Sequence, residues 1–95
     1  MEKLEGYQLA ALIDRAEYQR FGETATVCAL ILHNGFVVIG VSGCLNPADF
    51  DETIGRDEAY KDAFAKLWQL QGYHLKTLFA ESEAHSWPQL KKSYW

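Results

Sequence analysis

Residues 24–44 read TATVCALILHNGFVVIGVSGC, two runs rich in β-branched and aliphatic side chains joined by Asn34-Gly35. Asn-Gly accepts positive φ at both central positions of a two-residue type I′ turn, so the stretch predicts a tight antiparallel hairpin. That turn sets the register. It pairs His33 with Phe36, Leu32 with Val37, Leu30 with Ile39 and Cys28 with Val41, the last three pairs forming one apolar face. The other face holds Ile31 with Val38, Ala29 with Gly40 and Val27 with Ser42, smaller but still apolar. A ribbon with one wet face alternates sharply between apolar and polar residues, so both faces of this one are expected to be covered. Two strands alone are marginal in water and carry two unpaired edges, which predicts a homodimer that merges or stacks hairpins. The same register sets Cys44 opposite Ala25, on the face away from Cys28, and excludes a disulfide between them.

Upstream of the hairpin, Leu9, Leu12, Ile13 and Ala16 recur at helical spacing. They predict a helix from about Glu5 to Gln19, with a narrow apolar stripe and with Tyr7 and Tyr18 on the opposite side. Downstream, Ala59, Tyr60, Ala63, Phe64, Leu67, Trp68 and Leu70 fill one half of a helical wheel from Thr53 to Gln71. Gly72 is expected to loosen or bend the helix, and past it Leu75, Leu78 and Phe79 continue a stripe to about Ala80. Ser86-Trp87-Pro88-Gln89 resembles a capping box with proline in the first turn, opening a short terminal helix that presents Trp87, Leu90 and Tyr94. The expectation is one α+β domain over residues 1–95: an N-terminal helix, an antiparallel β-hairpin, a long C-terminal amphipathic helix and a short terminal helix.

With 95 residues and 48% apolar content, the chain buries only roughly two-thirds of its unfolded surface as a monomer. No apolar run approaches the roughly 20 residues of a membrane span, and no basic-then-apolar leader precedes Gly6, so the expected location is the cytoplasm. The net charge of −4 argues against a nucleic-acid backbone as partner. All of that excess lies in residues 49–62, where Asp49, Asp51, Glu52, Asp57, Glu58 and Asp62 outnumber Arg56 and Lys61.

This acidic window does not fit a metal loop. Asp49-x-Asp51-x-Thr53 starts like an EF-hand, but Ile54 stands where glycine is required and Tyr60 where glutamate is. Cys28 and Cys44 lie outside any CxxC, and no phosphate-loop glycine spacing occurs, so neither metal nor cofactor is expected. Helix-start chemistry explains the acids better. Asn46-Pro47 reads as an N-cap with proline at the first position, and Glu52-Arg56, Asp57-Lys61 and Asp62-Lys66 are acid-before-base pairs four apart.

Arg56 stands out, because in an unbroken helix it falls in the arc of Tyr60, Ala63 and Leu67. A buried guanidinium requires a counter-charge, either Asp49 or Asp51 or an anionic ligand. Ser42, Asn46, Asp51, Arg56 and Tyr60 are the side chains expected around such a ligand. Tyr7, Tyr18, Trp87, Tyr94 and Trp95 are the aromatics expected to meet a partner protein. No nucleophile stands beside a base in the sequence, so no catalytic residue and no enzymatic activity are expected.

Asn34-Gly35-Phe36, Gly40-x-Ser42, Phe50-Asp51, Ile54-Gly55-Arg56, Ala59, Ala63, Trp68 and Gly72-Tyr73 together resemble a small phage and prophage protein family, typified by gene-product-49-like proteins of tailed phages. The resemblance runs over about residues 8–79 and leaves 80–95 unmatched. It implies a phage accessory protein that binds a host or defence protein, or sequesters a signalling nucleotide, and it carries over no catalytic residue.

Overall fold

The hairpin forms with a different turn from the expected one. In the computed structural model, which describes residues 4–83, Leu32 N–H donates to the Phe36 carbonyl at 2.9 Å and Gly35 N–H to the Leu32 carbonyl at 2.9 Å. The loop therefore has three residues, His33 to Gly35. Gly35 takes the left-handed conformation at φ 91, while the Asn34 side chain accepts from Phe36 N–H at 2.9 Å. Three-residue hairpin loops with glycine in the left-handed position are the next most common solution after the two-residue turn.

One extra loop residue shifts the register of β2 (Ala25–Leu32) against β3 (Val37–Gly43) to Thr26 with Ser42, Cys28 with Gly40 and Leu30 with Val38. Side chains alternate along a strand, so the shift turns β3 over relative to β2. The faces are re-sorted. Thr26, Cys28, Leu30, Leu32, Val38 and Gly40 are buried, while Val37, Ile39 and Val41 face outward. Helix α2 (Glu52–Glu83) covers the buried face, and no other element among the described residues packs on the face of Val37, Ile39 and Val41. Cys44 also changes sides, since its N–H donates to the Thr24 carbonyl at 3.1 Å and the alternation places it on the face of Cys28. Both thiols are free, separated along the sheet and not by it.

The long first helix is not formed. A single turn, α1 (Gly6–Ala10), is followed by β1 (Ile13–Phe21), which completes an antiparallel sheet of order β1-β2-β3. The misleading signal is a bulge. Ile13 pairs with Leu32 and Arg15 with Ile31, so one residue is extra at Asp14. Ile13 and Ala16 then share a face although three residues apart, which imitates helical spacing. Beyond the bulge the strand alternates, with Ala16 and Tyr18 half-buried and Arg15, Glu17 and Gln19 exposed.

Helix α2 lies close to the sheet because small residues line its contact stripe. Gly55, Ala59, Ala63 and Leu67 recur every fourth position, and the last three are buried. This stripe is narrower than expected: Trp68 and Leu70 are 42% and 47% exposed. Gly55 meets Thr26 and Gly40 meets Ala59 and Ala63, so glycine on each element allows the close approach. The helix runs through both Gly55 and Gly72. Leu9, on α1, belongs to the same buried core as Leu32 and Leu67. Among the described residues no helix is long and apolar enough to cross a membrane. The expected terminal helix lies outside the described residues.

Helix α2 also reaches round the outer edge of β3. Asp62 Oδ2 accepts from Val41 N–H at 2.9 Å, Lys66 Nζ donates to the Ile39 carbonyl at 2.8 Å, and the two side chains pair at 3.3 Å. The Val41 bond, helped by Lys66, holds the Asp62 carboxyl below the usual carboxylate range. A lowered folded pKa means that the stabilisation is complete above the unfolded carboxylate pKa of about 3.9 and is lost as pH falls through the folded value. Urea denaturation of Asp62→Asn is expected to show lower stability than the parent at pH 7. The difference should close as the pH falls through the folded value.

Candidate functional site

Two hollows flank the start of α2, and of the side chains singled out by the sequence Ser42 and Asp51 line one and Tyr18 and Arg56 the other. The larger, of about 510 Å³, lies between the end of β3 and the first turns of α2. Its rim carries Asp49, Asp51, Glu58 and Asp62, with Lys61 as the one cation among its lining residues. That lysine is already engaged by Asp57 at 3.1 Å and Glu58 at 3.6 Å. The hollow is therefore acidic, which is the wrong sign for a phosphate or carboxylate ligand.

The expected ligand residues on this side serve the fold. Ser42 Oγ donates to the Gly55 carbonyl at 2.7 Å, tying β3 to the first turn of α2. Asp51 Oδ1 accepts from Ile54 N–H at 3.1 Å, so it is Asp51 that caps α2. Asn46 Oδ1 accepts from Ala48 N–H at 3.0 Å and caps the separate 3₁₀ turn Pro47–Asp49. The expectation that Asn46-Pro47 opens the main helix is corrected accordingly.

Arg56 lies on the opposite flank. The buried stripe passes through Gly55 and Ala59, one position away, so Arg56 sits at the helix margin with 52% of its side chain exposed. The expected buried charge does not arise. Its partner is Glu52 at 2.7 Å, one turn back, and not Asp49 or Asp51. The guanidinium lies over the Tyr18 ring, 5.3 Å from its centroid, in the range of a cation–π contact.

The smaller hollow, of about 160 Å³, runs beside this contact and is lined by Tyr18, Arg20, Thr26, Phe50, Glu52 and Arg56 among others. Arg20 stacks on Phe50 at 3.7 Å and donates to the Glu23 carbonyl. No carboxylate among the described residues pairs with it within 4.0 Å. Sequence reasoning missed Arg20 because the residues leading to it, up to Gln19, were taken as helix and not as strand. Alternation along Ala16-x-Tyr18-x-Arg20 was the signal that could have placed it on the face of α2.

Tyr60 stacks on Phe64 with ring centroids 5.9 Å apart, beside Tyr18. Desolvation first, then the neighbouring Cys28 thiol, pushes the Tyr18 hydroxyl above its ordinary pKa. Tyr7 is 74% exposed on α1, and Tyr18 is half-buried against α2, so the two do not form the shared aromatic side expected of one helix. Trp87, Tyr94 and Trp95 lie outside the described residues.

Burial raises the pKa of Cys28, with the Tyr18 hydroxyl opposing weakly. Cys44 is half-buried, and its thiol faces the Asn46 carbonyl at 3.4 Å. A disulfide reagent at pH 8 is expected to label Cys44 in a fast phase and Cys28 only on unfolding. Among the described residues no three His, Cys, Asp or Glu side chains are placed to hold a metal ion.

Comparison with known proteins adds one match. Residues 4–79, from before α1 to near the end of α2, match the model of the Phage protein (N4 Gp49/phage Sf6 gene 66) family. No curated protein and no solved structure matches the chain. The match extends over every strand and both flanks of the α2 start, and the chain belongs to the N4 Gp49/Sf6 gene 66 family of phage proteins.

Proposed function

We propose that this phage protein is a non-catalytic accessory factor that binds and modulates a host or defence protein in the host cytoplasm. The observation that carries this reading is the open face of the sheet. Phe21, Val37, Ile39 and Val41 are 51%, 44%, 44% and 53% exposed, and Val27, Ala29 and Ile31 lie half-buried beside Val41, Ile39 and Val37. An apolar strip of this kind, on a face that no helix among the described residues covers, is the kind of surface that marks protein association. Ile39→Lys places a charge in its middle without entering the core, so the fold should survive with a change within about 0.5 kcal/mol. In pull-downs from host lysate at physiological salt, the wild-type chain is expected to retain a specific protein that Ile39→Lys loses. Equal recovery by both, or by neither, counts against the reading.

A second reading is favoured by Arg20 and Arg56, two guanidiniums held by aromatic rings on one groove. Such a groove suits the phosphate of a nucleotide-type ligand. Glu52 partly neutralises it. Thermal shift with nucleotides and cyclic nucleotides tests the reading, since ligand at a hundred times its Kd stabilises by about 2.7 kcal/mol. No shift with any of them removes it.

A further inference from the structure

The two edges of the sheet are not equivalent. In an antiparallel ladder, alternate residues of an edge strand turn their backbone groups outward. On β3 these are the odd-numbered residues, and α2 occupies two of their groups through the Asp62 bond to Val41 and the Lys66 bond to Ile39. On β1, Arg15, Glu17, Gln19 and Phe21 pair into β2, which leaves the N–H and C=O groups of Ala16, Tyr18 and Arg20 pointing away from the sheet. Among the described residues nothing bonds to them. One edge is closed by side chains, and the other is a regular strand free of bulges from Arg15 to Phe21.

We infer that β1 is the edge through which two copies of this chain join, antiparallel about a two-fold axis at Tyr18, into a six-stranded sheet. The choice of a second copy rests on how β1 complements itself. With the axis at Tyr18, the N–H and C=O of Ala16, Tyr18 and Arg20 all find partners. On the open face Glu17 then meets Gln19 of the other copy, and Arg15 meets Phe21, so no like charges oppose. Moving the axis to Glu17 sets two carboxylates directly opposite each other, which is destabilising. Moving it to Ala16 runs the ladder into the Asp14 bulge. Because α2 closes the β3 edge, assembly stops at two copies. The association stands apart from the host-protein reading, which uses the open face and not the edge.

Analytical ultracentrifugation of the full chain is expected to show a monomer–dimer equilibrium between about 1 and 100 µM. Gln19→Glu opposes Glu17 of the other copy twice and is expected to weaken the dimer about tenfold, while Gln19→Lys leaves it equal or tighter. Ile39→Lys leaves it unchanged. Hydrogen exchange gives a backbone readout: the amides of Ala16, Tyr18 and Arg20 slow as concentration rises. A chain monomeric at 100 µM, whether its β1 edge is bare or covered by another part of the chain, overturns the inference, as do assemblies larger than two. So does a dimer that Ile39→Lys breaks and Gln19→Glu does not, because it joins through the open face.

Discussion

Gly40→Ala is expected to destabilise the domain by about 3 kcal/mol or more, and Gly40→Val to leave it unfolded. A Cβ at position 40 would fall onto the carbonyl oxygen of Ala59 and the amide nitrogen of Ala63, and 2.7 Å from the Ala63 Cβ. Those are atoms of a helix backbone, with no rotamer to turn aside. To make room, α2 must shift as a body, and the shift uncovers Cys28, Leu30 and Val38 together. Urea denaturation followed by far-UV circular dichroism measures the loss. Gly43→Ala is the control, since its nearest neighbour would be the Thr24 carbonyl at 3.9 Å and a change within about 0.5 kcal/mol is expected. If both variants behave alike, α2 does not lie against β3 at Gly40.

Leu30→Ala is expected to cost about 3 kcal/mol, within the range for a fully buried leucine. Leu30 is 0% exposed on the central strand β2, opposite Val38 and on the face covered by α2. Truncation loses the transfer energy of the removed atoms and leaves a cavity that the flanking strands cannot collapse without breaking their ladders. For a domain of this size the melting temperature should fall by roughly 15 °C. Stability of a small domain is only about 5–15 kcal/mol, so either variant removes a large share of it. Leu45→Ala provides the contrast: Leu45 is 100% exposed, and its loss should change stability by no more than about 0.5 kcal/mol.

The α+β class, the hairpin, the long helix and the phage family were all legible in the sequence. The candidate site was legible only in part. Arg56 was singled out for a burial it does not have, yet its neighbourhood with Tyr18 and Tyr60 does form one margin of α2. Ser42, Asn46 and Asp51 were placed near the right helix start, but their oxygens are spent on Gly55, Ala48 and Ile54. Arg20 was invisible because one bulged residue at Asp14 broke the alternation of β1.

By itself the sequence determined what local chemistry controls: a glycine-bearing turn between two β-rich runs, and a helix whose small residues Ala59 and Ala63 repeat on its buried side. It also determined where the negative charge lies. Only the tertiary structure decided which face of the hairpin is inside, that residues 13–21 form a strand, and that Asp62 and Lys66 close one edge of the sheet. The physical reason is that each of those outcomes turns on a single residue of register. A three-residue loop in place of two turns β3 over, and one bulge makes a strand imitate a helix. Local preferences for these alternatives differ by little, and the packing of α2 against Gly40 selects among them.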